Sequence, residues 1–336
     1  MKHVLASLIL CLATGSAVSA ECVGTNLIEA MSEADQVEIR ARTDVIPYHR
    51  GLFWQATRDD AQITLIGTYH FDHPGLAVIV EDFAPVIRDA QTLLVEAGPK
   101  EEKEIQTTLI QDPSIIMDAT GPTLPERMED ADWKRLVTAL EVRGIPGVMA
   151  SRIRPWYAVT VLGISPCMMA QVVKDGGARG LDRQLMDVAS SEAVPVQALE
   201  PSDTFLKLFG DLSPDEEIEM LIYALPSASY ADDYATTLTD AYFDEDVWTI
   251  WEFSRVDGYR NSGLPAEKVD EMTDEAQVLL MDERNRSWIA PLTEAAAEAA
   301  ENDKGVVAAF GALHLPGEEG VLRLLEKDGW TVKRLQ

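Results

Sequence analysis

The sequence predicts an α/β (α+β) fold, in which strands from both ends of the chain form one central sheet and a large helical middle region is inserted across the strand ends. Short apolar runs rich in branched residues lie near both ends, at 63–66 and 306–310. Runs of this length and composition are typical of buried strands. Each run leads into a Gly-x-x-His pattern, at 67–70 and 311–314. The middle region between them has helical patterns.

The N-terminal third alternates strands and helices as α/β proteins do. We expect strands at 51–56, 63–67 and 92–96, a turn at 58–60 and an amphipathic helix at 76–90. The helical middle should contain helices at 126–143, 154–173, 181–191, 213–247 and 264–301, with one strand at 195–200. The α/β pattern then returns with a strand at 305–310, a helix at 318–327 and a strand at 330–335.

The N-terminus predicts export. Residues 1–20 combine Lys2, a short apolar stretch and small residues before Glu21, which is the pattern of a cleavable signal peptide. We therefore expect cleavage after Ala20 and a periplasmic or secreted product. Residues 21–336 should form a single domain with a helical insertion around 211–251. The aromatic residues of that insertion either cover the strand ends as a lid or pack inward as core.

Charge and cysteine content limit the possible partners. The formal net charge is −29, so nucleic acid is excluded as a partner. The uncharged run at 156–173 is long enough to span a bilayer, but Gly163 and Pro166 interrupt it, and we expect a buried helix and no integral span in the mature protein. Cys22 and Cys167 either form a disulfide in an oxidising compartment, or Cys167 is a buried free thiol.

Several side chains capable of chemistry follow predicted strands. His70 and His314 end the two Gly-x-x-His patterns, and Glu96 and Glu200 end two further apolar runs. In an open α/β sheet, ligands bind beyond the carboxyl ends of the strands, so these four side chains should meet there. Imidazole and carboxylate are ligands that Zn²⁺ or Mn²⁺ accepts. We expect His70, Glu96 and His314 to bind such a divalent ion.

Four other residues have a functional and a structural interpretation. Asp182, at the entry to a helix, is either a site residue or a helix N-cap. Arg284, inside a long helix, either holds a carboxylate through its planar fork or forms a salt bridge on the helix face. His73 follows His70 closely but is followed by Pro74, and the loop setting of His49 favours a surface position.

These motifs together resemble the TraB/GumN family. The resemblance rests on 65–70, 94–96, 180–182 with 199–200, 282–288 and 310–320, and it extends from about Gly51 to the C-terminus. Tyr69 and Phe71 flank the first histidine where the family commonly has smaller or aliphatic residues. The family is related to the metal-dependent Tiki proteases and, more distantly, to erythromycin esterases and haem-binding ChaN-like proteins. The resemblance implies an α/β fold whose site combines the two Gly-x-x-His motifs with the strand-end glutamates.

Three functions follow as expectations. In the first, a divalent-metal-dependent hydrolase cleaves a peptide or amide bond of a peptide or small-molecule substrate. Glu200 then serves as general base or as a further metal ligand, Arg284 as the electrostatic partner of the developing charge, and Asp182 completes the site. The second keeps the residues and omits the metal, so that the histidines act as acid and base in an esterase-like hydrolase. The third is a non-catalytic envelope protein that binds haem, metal or polysaccharide.

Overall fold

A computed structural model describes residues 22–210 and 212–335. The predicted signal peptide, 1–20, lies outside the described residues, as does Asp211 at the start of the predicted insertion. Within the described residues, six strands form one mixed sheet. The strands are β1 Phe53–Arg58, β2 Ala61–Thr68, β3 Leu93–Val95, β4 Val196–Ala198, β5 Val306–Gly311 and β6 Thr331–Arg334.

The sheet has the order β4-β3-β5-β2-β1-β6. Strands β4, β3, β5 and β2 are parallel, while β1 pairs antiparallel with both β2 and β6. Strand β5, from the C-terminal part of the chain, therefore lies between two N-terminal strands. This arrangement confirms the prediction of one sheet built from both ends of the chain, with β4 added from the middle.

Helices supply most of the rest of the structure. In chain order they are α1 Leu27–Ala30, α2 Glu33–Thr43, α3 Leu76–Asp89, α4 Pro99–Gln111, α5 Leu124–Arg127, α6 Asp130–Glu141, α7 Gly147–Ala150, α8 Pro155–Leu162, α9 Pro166–Asp175, α10 Leu181–Ser191, α11 Thr204–Lys207, α12 Pro214–Ala224, α13 Ala231–Phe243, α14 Val247–Asn261, α15 Ala266–Gln277, α16 Glu283–Ala300 and α17 Val321–Lys327. A π-helical turn, Val278–Asp282, joins α15 to α16.

Side chains alternate between the two faces of the sheet along each strand, and helices bury both faces. On one face, Leu65 and Phe310 pack with Trp288 of α16 and with α17. On the other, Ile66 and Val95 pack with α3 and α10. A separate apolar cluster joins α6, α8 and α12. Helices therefore pack against both faces of the parallel strands, which fixes the positions of the residues that follow these strands.

The predicted helix at 154–173 is wrong in one respect. Two helices, α8 and α9, replace it, and they meet at 95°. Pro166 takes the first position of α9, where its missing N–H costs nothing, and Ser165 caps that helix by accepting from the Met168 N–H. Among the described residues, no single helix is long and apolar enough to cross a membrane.

Two alternatives left open by the sequence are distinguished by the structure. Cys22 and Cys167 form a disulfide. In the helical segment around 211–251, Tyr242 and Trp248 are buried, and the Tyr242 hydroxyl donates to the Gly67 carbonyl. These aromatic side chains therefore pack inward and do not form an exposed lid surface.

Candidate functional site

Four parallel strands end at one edge of the sheet and deliver the predicted site residues there. His70 follows β2, Glu96 follows β3 and Glu200 follows β4, while His314 ends a 3₁₀ turn directly after β5. The spatial order of the strands places Glu96 and His314 on adjacent strand ends in the middle of the row. The parallel pairing thus brings together residues that are up to 244 positions apart in the sequence.

His70 is held by the start of helix α10. Its Nδ1 lies 3.2 Å from Asp182 Oδ1, in the first turn of that helix. The Leu181 N–H donates to the Tyr69 carbonyl, and a Cβ on Gly180 would lie 2.3 Å from the Tyr69 oxygen and the His70 carbonyl carbon. Only glycine permits this approach. The helix cap position belongs to Gly180, so the Asp182 carboxylate is used to orient His70.

Gly311 opens a space on which three side chains converge. A Cβ added there would lie 3.2 Å from Glu96 Oε1, 3.5 Å from His70 Nε2 and 3.6 Å from His314 Cδ2. The Gly311 N–H donates to Glu96 Oε1 at 2.6 Å. The missing side chain therefore leaves room for a substrate atom beside one carboxylate and two imidazoles.

Arg284 connects the carboxylates, and all five of its N–H groups have an acceptor. Its Nε and Nη2 donate to the two oxygens of Glu200 at 2.6 and 3.0 Å. The second hydrogen of Nη2 points to Glu96 Oε2 at 2.7 Å. Nη1 donates to the Leu280 carbonyl in the π-helical turn and lies 3.3 Å from His314 Nε2. The arginine is thus a fixed, fully bonded cation, and the carboxylate-holding interpretation describes its contacts.

Glu200 faces Arg284 and the indole of Trp288. Its Oε1 accepts from Trp288 Nε1 at 3.0 Å in addition to the Arg284 Nε–H. The Arg284 guanidinium also lies over the Trp288 ring, 5.2 Å from its centroid. Most of the hydrogen bonds that the Glu200 carboxylate accepts therefore come from Arg284.

The tautomer of His314 follows from a chain of hydrogen bonds. Asn285 Nδ2 donates to the Glu319 carbonyl, so its Oδ1 is the atom that faces His314. That oxygen lies 2.6 Å from His314 Nδ1, which must therefore carry the proton. The remaining ring nitrogen, Nε2, presents a lone pair to Arg284 Nη1. His314 is held as a neutral imidazole whose lone pair points into the site.

The two histidines are shifted in opposite directions. Desolvation by the surrounding protein lowers the pKa of His70 even though 57% of the side chain is exposed, but the hydrogen bond and charge interaction with Asp182 outweigh this and raise the pKa to about 9. Burial lowers the pKa of His314 to about 4, because Glu96 only partly opposes the effect. At neutral pH His70 is charged and His314 is neutral, in agreement with their hydrogen bonds.

Glu96 remains ionised between them. Burial raises its pKa, but the positive groups around it, His314 when protonated, His70 and Arg284, outweigh burial and lower it to about 2, helped by the Gly311 N–H. Because His314 is neutral at pH 7, His70 and Arg284 supply the positive charge at that pH. The carboxylate is thus a permanent anion between two cations.

The residues expected to bind a metal have suitable donor atoms but an unsuitable arrangement. Among the described residues, no group of three or more His, Cys, Asp or Glu side chains could hold a metal ion. Glu96 Oε1 and His314 Nε2 lie 3.9 Å apart. This separation is larger than that between two ligands of one tetrahedral zinc ion, each of which lies about 2.1 Å from the metal. Arg284 also occupies the His314 lone pair. A divalent ion does not fit these positions, and its binding stays a prediction.

All six predicted site residues belong to this connected cluster, while the other histidines have different surroundings. His73 Nδ1 accepts from the Gly75 N–H, and its ring packs against Phe243. His49, expected at the surface, is partly buried, with Nδ1 3.8 Å from Asp246 Oδ1. From the sequence, no role was assigned to Asn285 and Trp288. Both lie within the motif at 282–288, on the same helix as Arg284 and one and four residues after it.

The comparison with known proteins agrees with the geometry. A family model described as the TraB/PrgY/gumN family matches residues 52–334, which include the whole sheet and every residue of the site. Among curated proteins, none matches the chain. Since the match covers most of the sequence, the chain belongs to the TraB/PrgY/gumN family.

Proposed function

We propose that this chain is a hydrolase that cleaves an ester or amide bond by acid–base catalysis at His70, Glu96 and His314. The observation that supports this most is that two histidines held in opposite protonation states flank one permanent carboxylate. Asp182 holds His70 as a cation, and Asn285 and Arg284 hold His314 as a neutral base. Environments that push two titratable groups apart in this way assign an acid and a base.

The proton transfers follow from these states. A water molecule placed beside Gly311 attacks the substrate carbonyl carbon, and Glu96 orients that water. His314 Nε2 accepts the water proton, for which it must first give up its contact with Arg284 Nη1. When the tetrahedral intermediate collapses, the carbon–oxygen or carbon–nitrogen bond breaks. His70 Nε2–H then donates the proton that the leaving group needs. His70, whose side chain is 57% exposed, regains its proton from solvent. His314 is buried, so it releases its extra proton to a water molecule in the space beside Gly311.

Arg284 and Glu200 have supporting roles in this proposal. The guanidinium lies beside the carboxylate and the base. Once Nη1 no longer contacts His314, its N–H can donate to an oxyanion that develops on the substrate. Glu200 positions the guanidinium through two hydrogen bonds instead of acting as the general base. The sequence predicts that Glu200 is a general base or a metal ligand. The present assignment differs because both Glu200 oxygens already accept hydrogen bonds from Arg284, and one also accepts from Trp288.

Export to an oxidising compartment is part of the proposal. The Cys22–Cys167 disulfide supports it, because structural disulfides persist in the periplasm and outside the cell. The substrate is then a peptide or small molecule of the cell envelope or its surroundings.

Hydrolysis of an ester and amide library by the purified chain tests this function. We expect His70→Gln and His314→Gln to lose at least about 100-fold in kcat/KM, the usual contribution of a general acid or base. His73→Gln is the matched control, because this histidine lies three residues from His70 yet contacts Gly75 and Phe243. Unchanged turnover in the first two variants would disprove the assignment.

A metal-dependent hydrolase is the second candidate. The observation in its favour is the chemistry of the side chains around Gly311, two imidazole rings and one carboxylate, which are residue types typical of catalytic metal sites. Metal analysis of protein purified from the periplasm, combined with exhaustive chelation, separates the candidates. Activity that survives chelation in metal-free protein supports acid–base catalysis alone. Activity lost on chelation and restored by Zn²⁺ or Mn²⁺ supports the metal enzyme.

A further inference from the structure

We propose that a second cavity, in the helical region, binds a free α-amino acid with an apolar side chain. The cavity has a volume of about 400 Å³ and shares no lining residue with the site described above. It lies between the loop that precedes α5, the start of α8 and the start of α12. Its lining holds equal numbers of basic and acidic side chains, although acidic residues outnumber basic ones two to one in this chain. They are Arg127, Arg152, Arg154, Asp118, Asp215 and Glu217.

Two of the arginines flank an isolated antiparallel bridge between Met117 and Ile153. Arg152 lies in the turn before this bridge, and Arg154 follows it at the N-cap position of α8. Both side chains line the cavity, as does the buried Ile153 between them. One short segment therefore contributes two positive charges to the cavity wall.

The arginines are held by carbonyl groups and not by carboxylates. Arg127 Nη2 donates to the Pro214 carbonyl, Arg152 Nη1 to Gly121 at 2.6 Å and Arg154 Nε to Ser114 at 2.9 Å. In the described part of the chain, none of the three forms an ion pair. Each guanidinium thus keeps its full charge and free N–H groups, which suit a carboxylate of a ligand.

Glu217 supplies the opposite charge. It is 7% exposed and lines the cavity, yet its carboxyl accepts no hydrogen bond from the described residues. Burial raises its pKa, and the charges of Arg154 and Arg127 oppose that effect. The carboxyl oxygens are not fully enclosed by protein, so they remain accessible from the cavity, and an ammonium group of a ligand would be stabilised beside them. The nearby Asp118 instead accepts from the amides of Thr120 and Gly121.

Apart from Ser151 and Asp215, the rest of the lining is apolar. Leu124, Ile153 and Pro155 are buried and form part of this wall. A ligand that carries a carboxylate, an ammonium group and a small hydrocarbon side chain satisfies the arginines, Glu217 and this wall at the same time. A free amino acid such as leucine has these three parts, and its size suits the lower end of ligand cavities.

Titration calorimetry with L-leucine, N-acetyl-L-leucine and L-leucine amide tests the proposal on the full chain. We expect saturable binding of leucine. Each derivative should bind at least about tenfold more weakly, because each loses one charged contact. Absence of binding at millimolar leucine would overturn the proposal. Equal binding of leucine and its N-acetyl derivative would overturn it as well, because the cavity would then be only an anion site.

Variants give a second, independent arm. Glu217→Gln and Arg154→Gln should each weaken leucine binding about tenfold, while Arg135→Gln should leave it unchanged, since Arg135 pairs with Asp132 outside the cavity. Circular dichroism of each variant shows whether it is folded. Arg154→Lys keeps the charge and covers the case in which the glutamine variant unfolds. Undiminished binding in folded Glu217→Gln would contradict the proposal.

Discussion

Asn285 Oδ1 lies 2.6 Å from His314 Nδ1, and this contact decides which ring nitrogen of His314 faces the site. The amide itself is oriented by donating to the Glu319 carbonyl. The lone pair on Nε2, which is the base of the proposed mechanism, therefore depends on Asn285 for its orientation. Residues that orient a functional histidine in this way commonly contribute 10- to 100-fold to function.

Substitution of Asn285 should change the protonation of His314. In Asn285→Asp the new carboxylate still accepts from Nδ1 but adds a negative charge, which should raise the pKa of His314 by roughly 1 to 3 units. The base is active when neutral, so the acidic limb of the pH–rate profile should move to higher pH by the same amount. Nitrogen-15 NMR of the imidazole reports the tautomer and the pKa directly. An unshifted profile in a folded variant would show that Asn285 does not act through His314.

Asp182→Asn should move the alkaline limb of the profile. The pKa of His70, about 9 in the native protein, should fall towards its ordinary value near 6.5 once the carboxylate charge is gone. In the proposed mechanism His70 donates a proton, so activity at pH 8 should fall several-fold while activity at pH 6 stays nearly constant. The alkaline pKa of kcat/KM measures this shift. Equal losses at both pH values would indicate a purely structural role for Asp182.

Arg284→Lys should destabilise the protein and inactivate it. Lysine has three donors on a flexible stem and cannot replace the fork that contacts Glu96, Glu200 and His314, so buried carboxylate oxygens lose their partners. Breaking such a buried pair costs roughly 3–5 kcal/mol.

Urea unfolding measures the effect of Arg284→Lys, and Arg286→Lys is the control. Arg286 lies two residues away on the same helix, but its side chain is 47% exposed and pairs with Glu319. An exposed pair contributes about 1 kcal/mol or less, so the control should remain stable. Similar unfolding midpoints for the two variants would contradict the structural importance of Arg284.

Much of this site could be predicted because it depends on topology. Parallel strands that end with His70, Glu96 and Glu200 must bring these residues to one edge, and the apolar runs identify the strands. The partners of Arg284 could not be predicted, because Glu96 and Glu200 lie 188 and 84 residues away and helix periodicity carries no information on them. Their contacts follow from the packing of α16 on the sheet.

Element boundaries show the same division. Residues 51–56 were expected to form the first strand, whereas β1 is Phe53–Arg58. The difference arises because pairing with β2 and β6, and not local composition, sets where the ladder begins. The π-helical turn before Arg284 has no recognisable sequence signal either, yet it places the Leu280 carbonyl against the guanidinium.

Gly311→Ala should block the site while leaving the fold intact. The backbone at Gly311 has φ −49°, which alanine adopts, and the N–H that donates to Glu96 is retained. The added methyl group would occupy the space between Glu96 Oε1 and His70 Nε2. We expect at least about a tenfold loss of kcat/KM, because a substrate atom or water can no longer sit there.

Gly163→Ala is the matched control for this substitution. Its φ is −64°, and an added Cβ would have no neighbour closer than 3.5 Å. Both variants should melt within a few degrees of the native protein, and only Gly311→Ala should lose activity. Full activity in Gly311→Ala would show that the reaction does not use this space.

Removal of the Cys22–Cys167 disulfide should lower stability without changing the chemistry of the site. The bond closes a loop between residues separated by 145 positions and ties the N-terminal segment to α9, so its loss enlarges the unfolded ensemble. The chain-entropy relation gives about 5 kcal/mol for a loop of this size, and native disulfides typically contribute about 2–5 kcal/mol.

The double variant Cys22→Ser, Cys167→Ser should therefore unfold at lower urea concentration, and reductant should affect the native protein but not the variant. Because neither cysteine contacts the site residues, kcat/KM below the melting range should stay within about twofold. An unchanged urea midpoint would mean that the two cysteines are not bonded in solution.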